Sequence, residues 1–466
     1  MPESHFEPGS FRDRNARVFH GAGAVYRSLN GRALAEWEEL RATRFFARGQ
    51  ADGRIIGTER VDTAAVPLPA SSSPDGVLRH ERVPFVSYPY EWSFGMLRSA
   101  ALLHLQLMDD ALAEGMILKD ASAYNVQWRG LHPVFIDVSS FERLRTGEPW
   151  TGYRQFCQMF LYPLMLQAYR GVPFQPWMRG CLDGIEPADC RRLMSARDAL
   201  RPGVLAHVLL QAGAEARYGD TDRDVKRDLR AAGFGPTLIQ ANVRGLAKLV
   251  GSLRPSRASS AWVGYANDNS YSPADAAAKR AFVERALRGS DLDLVWDLGC
   301  NTGMFTRLAA ARARYVVALD ADAVVVDRLF RALSSDGVDN VLPLVGNLAD
   351  PSPSLGWRGR ERRTLLDRGR PTLVLCLALL HHLVITNNIP MVEVVDWLGA
   401  LGADLVLEFV PRDDPMVERL IRHKDEAYAD YDERRLQTCL DGRFHVEARE
   451  PLPSGRRVLY HARART

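Results

Sequence analysis

Residues 292–303 read Leu-Asp-Leu-Val-Trp-Asp-Leu-Gly-Cys-Asn-Thr-Gly, and this stretch decides the fold of the second half of the chain. Its first seven residues have the apolar composition of a short buried strand, and residues 304–312 after it have a helical pattern. A strand that passes through a glycine-rich turn into a helix places backbone N–H groups at the strand's carboxyl end. The stretch therefore predicts the ligand crevice of a doubly wound α/β sheet.

The residues around this turn extend the same pattern. Helical patterns alternate with further apolar strands, which we predict at residues 315–320, 341–345, 372–377 and 404–409. Such alternation predicts a parallel, Rossmann-like sheet with helices on both faces. Asp320 ends the second strand, 23 positions after Asp297. An acid about 20 residues after the turn is placed to accept hydrogen bonds from ribose hydroxyls.

The turn differs from a nicotinamide site, which would have the pattern G-x-G-x-x-G. Residues 297–303 resemble the first motif of class I S-adenosylmethionine (SAM)-dependent methyltransferases, and the resemblance extends over about residues 262–466. It implies SAM as cofactor, bound by Asp297, Gly299, Cys300, Asn301, Gly303, Asp320, Asn347 and Leu377. Asp297 would face the methionine ammonium group, Asp320 the ribose and Asn347 the adenine. Asn301 stands where many members have glycine, and Asn enters left-handed conformations readily.

A narrower likeness involves the segments after the fourth and fifth predicted strands. Residues 377–385 (Leu-Ala-Leu-Leu-His-His-Leu-Val-Ile), 387–390 (Asn-Asn-Ile-Pro) and 407–411 (Leu-Glu-Phe-Val-Pro) follow Gly356-Trp and Glu361-Arg. These segments are similar to a methyltransferase subgroup that includes NoeA-type nodulation proteins. The Asn-Pro-Pro-Tyr motif of many exocyclic amino methylases is absent from the sequence, which argues against nucleobase methylation.

Three residues are candidates for the chemistry. His381 and His382 follow the fourth strand, where this fold places the methyl acceptor, and a neutral imidazole can take the acceptor's proton. The alternative is that one of them is a core or capping histidine. Glu408 ends the fifth strand, where it could orient a histidine or bind the substrate, or be a structural acid paired with an arginine.

Polar residues outside the strands are candidates for contact with the substrate. Tyr265 and Tyr271 precede the first strand, where a segment could close over the cofactor as a lid or form only a solvated linker. Asn387, which follows the histidine pair, is the third candidate.

The first half carries a second constellation. We predict a hairpin around residues 20–23, a helix at residues 32–47, strands at residues 54–57, 77–80 and 83–87, and a long helix at residues 93–114. Asp120, Asn125 and Asp137 follow that helix with the spacing of the catalytic base and the two metal ligands in protein-kinase-like folds. The resemblance implies a kinase-like α+β domain over residues 1–255, before the methyltransferase domain at residues 256–466.

The departures from the kinase pattern are serious. No His-Arg pair precedes Asp120, and Val-Ser rather than Phe-Gly follows Asp137. The first lysine of the chain is Lys119, so the strand lysine that grips nucleotide phosphates is missing, and Arg27 is a non-conservative substitute for it. We therefore expect a domain retained for architecture or substrate binding. An active phosphotransferase, or three turn residues of an unrelated α+β domain, are the alternatives.

Composition restricts the partners. The 466 residues are 46% hydrophobic and 25% charged, with a formal net charge of +3, which gives no electrostatic case for nucleic acid or an anionic membrane. No apolar run approaches the roughly 18 residues of a membrane span, and the six cysteines form no C-x-x-C pair that would predict a metal site.

We expect a cytoplasmic, bacterial methyltransferase that acts on a small molecule, a sugar or a natural-product intermediate. The alternatives are a bifunctional protein that also binds ATP or transfers phosphate, and a non-catalytic SAM-binding protein. The sequence does not indicate the oligomeric state.

Overall fold

The computed structural model describes residues 4–70, 72–145, 148–210, 235–256, 271–288, 291–422, 424, 428 and 430–465. The chain divides into two compact units. The first unit comprises Met1–Trp128, His132–Ala258 and Leu355–Arg362, and the second comprises Arg129–Leu131, Ser259–Ser354 and Arg363–Thr466.

The first unit contains a five-stranded antiparallel sheet with the order β1-β2-β3-β5-β4. Its strands are β1 (His5–Phe6), β2 (Ala16–Gly21), β3 (Ala24–Leu29), β4 (Thr58–Val61) and β5 (Gly76–His80). The predicted hairpin is confirmed: Ala22 and Gly23 join β2 to β3, both at positive φ, and two consecutive left-handed residues match the twist of a tight hairpin.

The predicted helix at residues 32–47 is instead two helices. They are α1 (Gly31–Arg41) and α2 (Arg44–Ala51). The Asn30 side chain accepts a hydrogen bond from the Ala33 N–H at 3.0 Å and begins α1 as a cap. The predicted strand at residues 54–57 is displaced to β4, and residues 83–87 form no strand.

Helices and short hairpins make up the rest of the first unit. The helices are α3 (Phe94–Leu112), α4 (Tyr153–Phe156), α5 (Tyr162–Arg170), α6 (Gln175–Gly180), α7 (Pro187–Leu193) and α8 (Pro236–Ser252), with π-helical turns at Cys157–Leu161 and Leu205–Leu209. The strands are β6 (Met116–Leu118), β7 (Val126–Arg129), β8 (His132–Phe135) and β9 (Phe141–Arg143); β6 pairs with β9 and β7 with β8. Helix α3 begins at a Ser93 cap and is buried over most of its length, so it forms the centre of this half.

The second unit contains a seven-stranded sheet with the order β12-β11-β10-β13-β14-β16-β15. Its strands are β10 (Leu294–Leu298), β11 (Tyr315–Asp320), β12 (Val341–Val345), β13 (Leu373–Cys376), β14 (Asp404–Phe409), β15 (Phe444–Pro451) and β16 (Val458–Ala464). Strands β10 to β14 are parallel and nearly all buried, as the sequence predicted. Strand β16 lies antiparallel between β14 and β15, and this antiparallel pair was not predicted.

Helices cover the sheet of the second unit. They are α9 (Pro273–Ala286), α10 (Met304–Ala310), α11 (Ala323–Asp336), α12 (Met391–Ala400), α13 (Pro415–Ile421) and α14 (Glu433–Arg443). Crossovers from β10 to β12 and from β13 to β14 run in opposite directions across the sheet. Because such crossovers are right-handed, these helices lie on opposite faces. The order reverses at β10, which lies between β11 and β13, and ligands of such sheets bind at the carboxyl edge of this switch point.

Candidate functional site

The glycine-rich turn follows β10 at the switch point. Gly299, Asn301 and Gly303 all have positive φ, at 73°, 45° and 83°. The N–H groups of Gly299 and Cys300 both donate to the Leu319 carbonyl of β11, at 2.8 and 3.0 Å. The turn is therefore bent against the neighbouring strand, and Asn301 adopts the left-handed conformation that its residue type favours.

The glycines of this turn also allow a close approach. A Cβ atom on Gly303 would lie 2.3 Å from Cδ1 of Leu329, and one on Gly299 would lie 3.3 Å from Cδ1 of Leu379. Since both positions also have positive φ, a larger residue would meet conformational strain and crowding together.

Asp320 lies beside the turn at the carboxyl end of β11. Its Oδ2 accepts the Asn301 N–H and its Oδ1 accepts the Asp322 N–H, each at 2.9 Å. Burial raises the pKa of this carboxyl group, while these backbone hydrogen bonds oppose the rise. A carboxylate oxygen has more than one acceptor position, so Asp320 can hold the turn and still accept a hydrogen bond from a ligand hydroxyl.

Asp297 is buried on β10, and its Oδ2 lies 2.5 Å from the Thr306 hydroxyl. Burial raises its pKa to about 6; the charge of Asp320 adds to the rise, and Thr306 and Lys279 oppose it. The crevice thus contains a carboxyl group that titrates near neutral pH and would gain from a cationic partner.

The other predicted cofactor residues lie along the same edge. Cys300 is buried in the turn, and burial raises the pKa of its thiol. Asn347 follows β12, is exposed, and accepts the Ala349 N–H at 3.0 Å. Leu377 follows β13 and is buried, and the next residue, Ala378, has a φ of 51°.

These residues fit SAM. The turn provides space for close approach, Asp320 provides an acceptor for hydroxyls, and Asp297 provides an acid for an ammonium group. The buried Oδ1 of Asn301 has no hydrogen-bond partner among the described residues. An unsatisfied buried acceptor beside the crevice is what a site completed by a polar ligand would contain.

The two histidines lie together after β13, with ring centroids 4.1 Å apart. His381 is fully buried, and neither of its ring nitrogens has a hydrogen-bond partner within the described ranges. Burial lowers its pKa far below the ordinary value, with smaller effects from His382, Arg457 and Lys279. Burial also lowers the pKa of His382 to about 4. Both rings are therefore neutral at pH 7.

Asn387 is exposed at the end of the short π-helical turn His382–Thr386. Its Nδ2 donates to the His382 carbonyl at 2.9 Å. The side chain of Asn387 therefore supports the segment that carries the histidine pair.

Glu408 belongs to a largely buried network of charged and polar groups, which we call the Lys279 network. Its members are Tyr271, Lys279, Glu408, Asp414 and Arg457. The ammonium of Lys279 contacts Oε2 of Glu408 at 2.7 Å and the Tyr271 hydroxyl at 2.8 Å, and that hydroxyl donates to Oε1 of Glu408 at 2.7 Å. Arg457 donates to Asp414 at 2.8 Å and lies 3.5 Å from Glu408.

The charges of this network decide the state of Glu408. Burial alone would raise its pKa, but the charges of Lys279 and Arg457 bring it below the ordinary value. Glu408 is therefore ionised and fully engaged, which agrees with the structural role that the sequence left open. Asp414 and Arg457 were not candidates, because they lie in polar loop sequences that give no sign of burial. Of the two tyrosines predicted to form a lid, Tyr271 belongs to the network and Tyr265 lies outside the described residues.

In the first unit, the predicted constellation is brought together. Asn125 donates to Oδ2 of Asp120 at 3.2 Å and to the Ser140 hydroxyl at 3.1 Å, and that hydroxyl lies 2.5 Å from Oδ2 of Asp137. Arg27, on β3, forms an ion pair with Asp137 at 2.7 Å. The three residues are thus neighbours in space, as the kinase-like spacing predicted.

These contacts also determine the ionisation of Asp120 and Asp137. Burial alone would raise the pKa of Asp137, but Arg27, Ser140 and Ser139 bring it below the ordinary value. Burial and the charge of Asp137 raise the pKa of Asp120. The guanidinium of Arg27 is therefore paired with Asp137, the acid that would bind a metal ion in an active kinase.

The described residues contain neither a membrane-spanning helix nor a cluster of metal ligands. None of the helices there has the length and apolar character needed to cross a bilayer. No group of three or more His, Cys, Asp or Glu side chains within those ranges is arranged to hold a metal ion.

Comparison with solved structures finds methyltransferases. N-methyltransferase NodS from Bradyrhizobium japonicum WM9 is 12% identical, covers 41% of this chain and 97% of its own, and has a TM-score of 0.31. Its complex with S-adenosyl-l-homocysteine has the same TM-score, with 13% identity over 42% of this chain and 90% of its own. WbdD is 17% identical over 47% of this chain and 46% of its own, with a TM-score of 0.30. At these scores the fold assignment rests on the strand order.

Comparison by sequence gives a much stronger match. No protein-family model matches the chain. The nodulation protein NoeA of Rhizobium meliloti (strain 1021) is 34% identical over 456 residues, which cover 97% of this chain and 94% of that protein. The match spans both units and includes the segments around His381 and Glu408 that indicated this subgroup. The chain therefore belongs to the family of the nodulation protein NoeA.

Proposed function

We propose that the chain is a methyltransferase that uses SAM, bound at the carboxyl edge of the second unit's sheet, to methylate a small molecule, a sugar or a natural-product intermediate. The observation that carries this proposal is the Gly299–Gly303 turn at the switch point, held against β11 with Asp320 beside it. Turn, acid and strand order are three independent features of a site for an adenosyl ligand.

Different residues of the crevice would bind different parts of SAM. Asp320 would accept hydrogen bonds from the ribose hydroxyls, and Asp297 would hold the ammonium group of the methionine end. Asn347, an exposed residue that follows β12, would contact the adenine. SAM would supply the activated methyl group. The chain's own residues would orient it and exclude water from it, because the strands beneath the crevice are buried.

We assign the removal of the acceptor's proton to His381 or His382. Both imidazoles are neutral at pH 7 and follow β13 at the same edge as the turn. A neutral imidazole can accept a proton on the ring nitrogen that carries no hydrogen. Retained full turnover in both His381→Ala and His382→Ala would contradict this role and would leave the methyltransferase assignment intact.

Calorimetry with SAM tests the cofactor site. We expect Asp320→Ala to weaken SAM binding by about 1–3 kcal/mol, the cost of losing hydrogen bonds to a charged acceptor. Asp336→Ala is the matched control, because Asp336 is an exposed acid at the end of α11 that pairs with Arg307. Equal SAM affinity in wild type and Asp320→Ala would overturn the site.

For the first unit we propose an architectural or substrate-binding role rather than phosphate transfer. Arg27 neutralises Asp137, and the serine hydroxyls occupy both of its oxygens. Arg27 already balances the negative charge of this carboxylate, so a divalent cation would have to displace the guanidinium in order to bind there. The bifunctional alternative would require this ion pair to open.

A further inference from the structure

The Lys279 network is incomplete at one atom. Lys279 is buried, with an exposed fraction of 5%, yet only two contacts satisfy its three ammonium donors: Glu408 and the Tyr271 hydroxyl. Its other contacts are the ring faces of Tyr271 and Phe305, at 4.6 and 4.9 Å. The third donor has no acceptor in the part of the chain that the structure describes. Buried ammonium groups are normally fully paired, so the free donor indicates a missing partner.

His381 has the same deficiency. It is fully buried, and both ring nitrogens lack a hydrogen-bond partner there. A neutral imidazole offers one donor and one acceptor. The charge of Lys279 acts on both His381 and Asp297. Lys279 is bonded to Glu408 near the end of β14, and His381 follows β13, the strand that pairs with both β14 and the Asp297 strand β10. The two incomplete groups and Asp297 therefore lie at the same edge of the sheet.

We propose that Lys279 and His381 together bind the methyl-accepting group, and that this group is a hydroxyl rather than an amine. The proposal rests on the proposed methyl transfer and names its substrate class. A hydroxyl oxygen can accept the free N–H of Lys279 while its own proton is donated to His381. One hydroxyl group would then supply the missing hydrogen-bond partner of both Lys279 and His381.

The charge of Lys279 discriminates between the two acceptors. When a hydroxyl reacts, an oxygen–carbon bond forms as the carbon–sulfur bond breaks, the electron pair of that bond leaves on sulfur, and the hydroxyl proton passes to His381. Negative charge develops on the oxygen, and a nearby ammonium stabilises it. A neutral amine would instead acquire a positive charge beside Lys279, and like charges repel strongly in a buried site.

The acceptor atom can be read directly from the product. The full chain is incubated with SAM carrying a carbon-13 methyl group and with extract of the source organism, and the labelled product is examined by carbon NMR. A methoxy signal is expected. An N-methyl or C-methyl signal would overturn the hydroxyl assignment and leave the methyltransferase proposal standing. Absence of any labelled product would contradict methyl transfer itself, and this inference with it.

Variants of Lys279 test its part in the reaction. With the labelled product as readout, Lys279→Met should lower kcat by about 10²–10³-fold, the usual effect of removing one donor to a developing oxyanion. The rise of kcat with pH should also occur at a higher pH in the variant than in wild type. Without the ammonium of Lys279, the acceptor hydroxyl is harder to deprotonate. Because Lys279 also lowers the pKa of Asp297, SAM affinity should weaken slightly near neutral pH, and much less than kcat. Lys248→Met, an exposed lysine of α8, is the matched control.

Lys279→Met leaves Glu408 buried beside an apolar group and could prevent folding. The double variant Lys279→Met/Glu408→Gln removes both charges of the pair and keeps the readout available. It should show the same fall in kcat and the same change in the pH profile. Wild-type kcat and pH profile in either folded variant would show that Lys279 is only structural.

Discussion

At the scale of single residues, the second unit places two acids of different character in one crevice. Asp320 is held by two backbone N–H groups, whereas Asp297 has the Thr306 hydroxyl and a pKa raised by burial to about 6. Asp297 thus changes charge close to physiological pH. Its role toward a cationic ligand should therefore be visible in the pH dependence of binding.

We expect SAM affinity to weaken as pH falls, because a protonated Asp297 cannot attract the methionine ammonium group. With a pKa of about 6, the loss between about pH 7.5 and about pH 5 should be roughly tenfold. Calorimetry at several pH values measures it, and Asp297→Asn should bind weakly with a flat profile. The stability of the ligand-free protein should change with pH in the opposite direction to SAM affinity. Because the folded pKa is raised, stability falls as pH rises from about 4 to about 6. Affinity independent of pH in wild type would contradict the role of Asp297.

At the scale of elements, a loop and a π-helical turn in the first unit depend on each other. The turn Cys157–Leu161 leaves the Gln158 carbonyl available, and the Ile185 N–H donates to it at 3.0 Å. Gly184 precedes this contact with a φ of 87°, and a Cβ atom there would lie 2.4 Å from the Gln158 carbonyl oxygen. The atom that an added Cβ would meet belongs to the backbone, so rotation of a side chain cannot relieve the clash.

Gly184→Ala should therefore destabilise the first unit by about 1–3 kcal/mol, from a positive φ and a backbone clash together. Gly180→Ala is the matched control at the end of α6, where nothing lies within 4 Å of the added Cβ. Chemical denaturation of both variants gives the comparison. Equal stability would show that the loop adjusts without cost.

At the scale of the whole molecule, SAM should stabilise the protein and ATP with Mg²⁺ should not. SAM at about 100 times its Kd should stabilise the protein by about 2.7 kcal/mol, since a ligand that binds only the folded state adds RT ln(1 + [L]/Kd). ATP with Mg²⁺ should leave Tm unchanged, because Arg27 is paired with Asp137. A thermal shift assay compares the two ligands. Stabilisation by ATP and Mg²⁺ that is lost in Asp137→Ala would favour the bifunctional alternative.

The sequence predicted the parallel part of the second unit well, because buried strands are continuous apolar runs bounded by turns. It missed β15 and β16. Strand β15 lies at the edge of the sheet, where His445, Glu447, Arg449 and Glu450 interrupt the apolar pattern, as charged residues commonly do on edge strands. The positions of the residues predicted to bind the cofactor followed from the strand ends, whereas the Lys279 network depends on contacts between distant parts of the chain.

Arg457 shows why local pattern fails at such a site. It follows Pro-Ser-Gly-Arg, a polar run that indicates an exposed turn, yet it is buried against Asp414 and Glu408. The pairing joins residues more than 40 positions apart, and nothing in either local sequence encodes it. The segment Leu355–Arg362 is another long-range contact that local sequence does not reveal. It belongs to the first unit, where Glu361 pairs with Arg12 near the start of the sequence.

The placement of β16 has a consequence for the order of events during synthesis. This strand lies between β14 and β15 and follows both of them in the chain, and Arg457 immediately precedes it, so the sheet and the Lys279 network are complete only after β16 has been synthesised. Until then, Glu408 and Asp414 lack one of their cations. A nascent chain that stops before β16 would have the parallel strands but an exposed edge on β14, which is prone to pair with other chains. Arg457 and the strand that covers the edge of β14 therefore arrive together during synthesis.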